Sequence, residues 1–134
     1  MSSPGTILTN EILAVHGARP DLKLFRNETA GVWAGKFVGR NKVGDVVLRG
    51  ARHFKCGLRE GSADLIGITG PQWEKGPAGL FISSEVKARK DTMKPNQKTW
   101  LRVMKEMGAI AGIAKSVQDV TDLLGEPPPS PHRR

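Results

Sequence analysis

At 134 residues and 14.5 kDa, the chain has the size of one small domain, with little room for a separate specificity module. Its 21 Lys and Arg outnumber 13 Asp and Glu, and the formal charge of +8 favours a polyanionic partner. A single cysteine excludes an internal disulfide and a cysteine-rich zinc site, and the absence of a membrane-length apolar run or a signal-peptide core sets the expectation of a reducing, cytoplasmic setting.

Ser3-Pro4 reads as an N-cap followed by proline in the first helical turn, with Gly17 at the far end. Leu8, Ile12 and Val15 form the apolar stripe of that helix, and Glu11 sits beside the stripe, where spacing alone makes it a solvated glutamate. Leu22 to Phe25 and Val32 to Val38 read as strands, with Asp45 to Leu48 a weaker candidate. Arg49 to Arg59 reads as a glycine-rich basic loop carrying Arg49, Arg52, His53, Lys55 and Arg59, suited to lie along a nucleic-acid backbone; a plain solvated loop is the alternative. Cys56 within it reads as a small buried apolar residue.

Residues 63–69 and 79–88 read as two central strands joined by the turn-rich segment 70–77. Trp73 in that segment is expected to cover the end of the sheet, with base stacking as the alternative. Pro95 opens a helix that runs to Met107 and stops at Gly108. Trp100, Leu101, Val103, Met104 and Met107 share its apolar face. Lys94, Lys98, Arg102 and Lys105 fall opposite, and Gln97 lies at the margin. Ala109 to Ala114 has the unbroken apolar character of a strand buried on both faces. Ser116 then caps a short helix ending near Leu124. Strand, helix and strand in this order imply a parallel pair. The proline-rich tail, residues 125–134, is expected to be disordered. His16, His53 and His132 lack the paired spacing of zinc ligands, and His16 reads as structural.

Side chains two apart on a strand share a face, so Glu85 and Lys87 project together while Ile82, Ser84, Val86 and Ala88 point the other way. If residues 63–69 pair with this strand, Asp64 joins them. Two carboxylates and an ammonium then meet on one patch, a set suited to Mg²⁺ acting on a phosphodiester. The bland alternative is an ordinary cross-strand salt bridge.

The ordered set of Glu11, Arg26-Asn27, Gly61-Ser62-Ala63-Asp64, Glu85-Val86-Lys87 and Gln97, with Gly108 and Lys115-Ser116, resembles the PD-(D/E)XK nuclease superfamily and, within it, the VRR-NUC group of virus-type replication and repair nucleases. Ala63 departs from the proline found there in many members. The resemblance implies an α/β restriction-endonuclease-like core, a central mixed β-sheet flanked by helices in the order α-β-β-β-α-β, over residues 1–124. It implies Mg²⁺ or Mn²⁺ held by Asp64, Glu85 and the carbonyl of Val86, with Lys87, Gln97 and Glu11 completing a catalytic set. Contacts to nucleic acid are expected from Arg26, Asn27, Lys55, Arg59, Ser62, Arg89, Lys94 and Lys98. It further implies a DNA endonuclease selective for branched duplexes such as Holliday junctions, acting as a homodimer and of phage or prophage origin. The alternative is a non-catalytic nucleic-acid-binding module that keeps the fold.

Overall fold

A computed structural model of the chain describes residues 2–129. The elements in chain order are α1 (Pro4–His16), β1 (Leu22–Arg26), β2 (Ala30–Arg40), β3 (Val46–Cys56), β4 (Leu65–Thr69), β5 (Phe81–Val86), α2 (Pro95–Glu106), β6 (Ile110–Ala114) and α3 (Val117–Leu124). They divide into two compact units. One takes the chain up to Asn27 and from Glu60 onward; the other is Glu28 to Arg59.

The larger unit is built on a four-stranded mixed sheet in the order β1-β4-β5-β6. β4 runs antiparallel to both β1 and β5, while β6 lies parallel to β5, as a strand–helix–strand connection through α2 requires. Alternation along the strands sorts side chains onto the two faces. Leu22, Leu24, Leu65, Ile82, Val86 and Ala114 face α1 and α3, where they pack with Leu8, Ile12, Val120 and Leu124. The opposite face receives α2 through a smaller cluster of Ala63, Leu101 and Ala111, bordered by Met93, Trp100 and Met104. Helices thus cover the sheet on both sides, the restriction-endonuclease-like arrangement the sequence predicts.

Local chemistry explains the ends of these elements. Ser3 caps α1 by accepting from the N–H of Thr6, and Pro4 follows in the first turn. Ser116 caps α3 by accepting from the N–H of Asp119 at 3.1 Å. Trp73 covers the sheet end as expected: it is buried and donates its indole N–H to the carbonyl of Leu124 at 2.9 Å. Among the described residues, no helix is long and apolar enough to cross a membrane.

A buried polar hub, which periodicity does not reveal, joins α1, β1 and α3. Arg19 is 3 % exposed and grips Asp21 through two bonds, at 2.8 and 2.7 Å. The same guanidinium donates to the carbonyls of Gly125 (2.7 Å), Leu124 (3.4 Å) and Glu126 (3.3 Å) and to Nδ1 of His16 (3.1 Å). An arginine only donates, so Nδ1 of His16 accepts and its proton sits on Nε2, which faces Thr121 Oγ1 at 3.0 Å. His16 is therefore structural. Residues 125–129 have no regular structure, and their start is fastened by Arg19; residues 130–134, including His132, lie outside the described residues.

The smaller unit corrects the reading of residues 49–59. They form most of an 11-residue strand, β3, paired antiparallel with the equally long β2 and with no other strand. Glycines and alternating cations gave this stretch the composition of a loop, yet cross-strand backbone pairing, invisible locally, holds it extended. Cys56 is exposed rather than buried, because a two-stranded sheet has no interior to receive it.

Two outcomes follow from the Arg19 hub. Replacing Arg19 with Met leaves Asp21 charged and buried without its partner, so unfolding in urea should show a loss of about 3–5 kcal/mol. Burial, then Arg19, hold His16 below its ordinary pKa of 6.5, although Asp21 pulls the other way. The folded state therefore binds its proton more weakly than the unfolded chain, and the stability this gives is present above about 6.5 and lost as the pH falls below it. The difference in stability between wild type and His16→Gln should shrink between pH 7 and pH 5.

Candidate active site

The convergence begins with sheet register. Leu65 pairs with Ser84 across β4 and β5, so the next step of the antiparallel ladder sets Asp64 opposite Glu85. Leu65 and Ile82 point into the α1–α3 core, which turns Asp64, Ser83 and Glu85 to the face that carries α2. There Trp100 of α2 donates its indole N–H to Ser83 Oγ at 2.8 Å, fixing the helix over β5.

Asp64 is held at two points. Its Oδ2 accepts the backbone N–H of Val86 at 2.9 Å, and its own carbonyl accepts the N–H of Asn27 at 2.8 Å. The Asn27 amide also donates to Ser62 Oγ (2.9 Å) and to the carbonyl of Ala63 (2.8 Å). Asn27 and Ser62 are thus bound to one another, clamping the strand approach that ends in Asp64. Ala63 itself is fully buried in the cluster with Leu101 and Ala111. Gly61 turns with φ 91°, and a Cβ there would stand 3.0 Å from Asn96 at the start of α2.

Glu85 is 2 % exposed. Its Oε1 accepts from Nε2 of Gln97 at 3.3 Å, and the orientation of that amide is set because Gln97 Oε1 accepts the N–H of Lys94 at 2.9 Å. The second oxygen, Oε2, is buried with no donor among the described residues. Burial first, then hydrogen bonding to Asp64 and its charge, push the Glu85 carboxyl up to about 9 against the opposing pull of Lys87 and Lys94. Lys87 follows two residues along β5's direction on the face of Glu85. Its backbone N–H donates to the carbonyl of Ala114 at 2.9 Å, and its side chain is partly exposed at the rim.

This arrangement fits a divalent cation. Two carboxylates with an oxygen lacking any donor form a site where positive charge is missing, and a hard ion accepts such oxygens. Among the described residues no three His, Cys, Asp or Glu side chains cluster. A cation here would therefore rest on Asp64, Glu85, a backbone oxygen such as that of Val86, and water.

The other expected residues lie in different settings. Glu11 is exposed on α1, with no hydrogen bond or ion pair to the cluster among the described residues. Arg26 is exposed at the end of β1 and bonds to Asn10. Lys94 and Lys98 are exposed at the N-terminal end of α2, whereas Arg102 pairs with Glu106 at 2.9 Å. Arg89 is exposed with φ 53°, a left-handed conformation costly for a side chain other than glycine, in the turn closed by the Asp91 N–H on the Ala88 carbonyl. Lys55 lies in β3 and Arg59 just after it, both in the smaller unit. The clamp by Asn27 was legible only as part of a family pattern; no local signal ties it to a residue 36 positions away.

The buried carboxyl gives a test of the site without activity. A folded-state pKa raised from 4.5 to about 9 means that stability from protonated Glu85 is complete below about 4.5 and is lost as the pH rises toward 9. With chelator at pH 7.5, Glu85→Gln should therefore be more stable than wild type, on the order of 2 kcal/mol. Added Mg²⁺ or Mn²⁺ should raise the melting temperature of the wild type and leave that of Glu85→Gln unmoved.

No curated protein and no solved structure matches the chain. The family model for the VRR-NUC domain matches residues 41–118, more than half of the sequence and inclusive of Asp64, Glu85, Lys87 and Gln97. With the mixed sheet, its flanking helices and the facing carboxylates already in place, the chain belongs to the VRR-NUC domain family, which implies nuclease-type function with DNA as substrate.

Proposed function

We propose that the chain is a divalent-cation-dependent endodeoxyribonuclease, with a nuclease domain over residues 1–124, that cuts branched duplexes such as four-way junctions as a homodimer. The observation that carries this reading is the donorless oxygen of Glu85, buried beside the carboxylate of Asp64. Nuclease domains of the PD-(D/E)XK type typically use divalent metals, which agrees with a Mg²⁺ or Mn²⁺ cofactor.

Phosphodiesters resist hydrolysis because the phosphate repels an approaching anion. When bound, a divalent ion offsets that charge and lowers the pKa of a coordinated water. The chain's own residues supply everything else. Asp64, Glu85 and the Val86 carbonyl would hold the ion, with Asp64 anchored by the Val86 N–H. Gln97 fixes the Glu85 carboxylate from the side of α2, so the two acids keep one geometry. Lys87 brings a positive charge to the rim, where it orients the attacking water and stabilises the charge that grows on phosphorus-bound oxygens in the transition state. Lys94 adds positive potential on the same side. The exposed Lys98, Arg26 and Arg89 are available to phosphates on either side of the cut, and Glu11 would contribute only by reaching the site with substrate bound.

A two-fold branched substrate cut symmetrically needs two active sites, which is the reason for proposing a dimer.

Purified protein incubated with a synthetic four-way junction should incise it with Mg²⁺ or Mn²⁺ and not with chelator. Asp64→Ala, Glu85→Ala and Lys87→Ala should each lower the cleavage rate by roughly 10³-fold or more while junction binding persists. Binding without incision by the wild type in either metal would assign the chain to a non-catalytic DNA-binding module. Equal incision by wild type and the Asp64 variant would trace the activity to a contaminant.

A further inference from the structure

β2 and β3 form a two-stranded ribbon with no hydrophobic core of its own: Trp33, Phe37 and Phe54 are 65 %, 60 % and 46 % exposed. Such a ribbon gains little from burial, so its side chains are not explained by packing. Residues 28–59 hold seven Lys or Arg against two carboxylates, Glu28 and Asp45. That is a third of the cations of the chain and far fewer than a third of its acids.

The register sorts these residues by face. Lys36 stands directly opposite Arg49, and Arg52, opposite Ala34, projects on the same side. The strand bulges between Arg49 and Arg52, where Gly50 takes φ 62°, and this extra residue keeps both arginines on one face. Like charges placed opposite each other on a ladder repel, and none of the three has an ion pair among the described residues. The other face carries two aromatic side chains: Trp33 packs against its partner His53 with ring centroids 4.9 Å apart and planes tilted by 60°, and Phe37 lies opposite Leu48; Phe54, opposite Val32, falls on the face of the cations, and Lys55, opposite Gly31, on the face of Trp33.

We infer that this ribbon is a DNA-binding arm: Lys36, Arg49 and Arg52 seat on the phosphates of a duplex, and Trp33 offers a stacking surface to a base unpaired at a branch. A ladder of unpaired like charges is stabilised by a polyanion, and a two-stranded ribbon has the dimensions of a major groove. A second copy of the chain is the poorer occupant, because its ribbon would bring an equal excess of positive charge. The inference rests on DNA being the substrate, and not on the catalytic reading of Asp64 and Glu85.

The test measures binding of a labelled linear duplex and a four-way junction by fluorescence anisotropy, in chelator to prevent cleavage, across a range of salt. The combined variant Lys36→Gln, Arg49→Gln, Arg52→Gln should bind roughly 10–100-fold more weakly at low salt and lower the slope of log affinity against log salt by about 3, one for each phosphate contact. Far-UV circular dichroism checks that the ribbon persists, and removal of repelling charges should not weaken it. Trp33→Ala should reduce affinity for the junction more than for the duplex. A control with Lys75, Arg102 and Lys105 changed to Gln should lose clearly less. Equal losses in the two triple variants, or an unchanged salt slope, would overturn the arm. So would sedimentation showing that Trp33→Ala with Phe37→Ala splits a dimer while affinity per protomer is kept, since the aromatic face would then serve a second copy. A wild type that binds through the ribbon yet never cuts would defeat the nuclease proposal and leave the arm standing.

Discussion

Asp64 faces Glu85 only because β4 pairs with β5 in one register, and the chemistry of the site depends on that pairing. A slip of one residue would turn Asp64 from the α2 face into the α1–α3 core, and Leu65 would go the other way. The fold resists the slip in several independent ways. Leu65 is fully buried among apolar partners, Asp64 is tied to the Val86 N–H, and Asn27 binds three successive groups ahead of the strand. Hydrophobic sorting sets which face each residue takes. The hydrogen bonds to Asp64 then fix its position along the strand.

The same pairing forces a carboxylate into a place that disfavours its charge. Glu85 lies under α2 with one oxygen on Gln97 and the other without a donor, and Asp64 repels it from across the ladder. Packing alone would favour a smaller or neutral residue there. A protein tends to retain such a group where function requires it, at some cost in stability. The Arg19–Asp21 pair shows the contrast. It is equally buried, yet every polar atom around it is matched: carboxylate, carbonyls and imidazole nitrogen all meet a guanidinium N–H. One cluster is electrostatically complete and stabilises the molecule. The other leaves a buried carboxylate oxygen of Glu85 without a partner among the described residues.

The two compact units use their residues differently. In the larger one, burial decides where each side chain goes, and among the described residues the buried ionisable side chains are His16, Arg19 and Asp21 of the hub and Glu85 of the carboxylate pair. In the ribbon, Trp33, Phe37 and Phe54 remain exposed, and Lys36, Arg49 and Arg52 share one face. Charge, concentrated in residues 28–59, is the organising feature there.

Much of the larger unit was legible in the residues themselves. Helical periodicity marked α1 and α2, the apolar run 109–114 marked the parallel strand β6, and alternation alone placed Glu85 and Lys87 on one face, because these signals repeat within a few residues; the expectation that β6 is buried on both faces fails, since it is the edge strand and Ile113 is 43 % exposed. The pairing of Asp64 with Glu85, the clamp from Asn27, the Arg19 hub and the extended ribbon over 49–56 join residues from about 10 to more than 100 positions apart, or rest on backbone bonds that any side chain can accompany. The sequence determined which elements form and which faces they bury; the tertiary structure decided which distant polar groups meet, since hydrogen-bond partners and electrostatic neighbours are set by chain topology and leave no periodic trace.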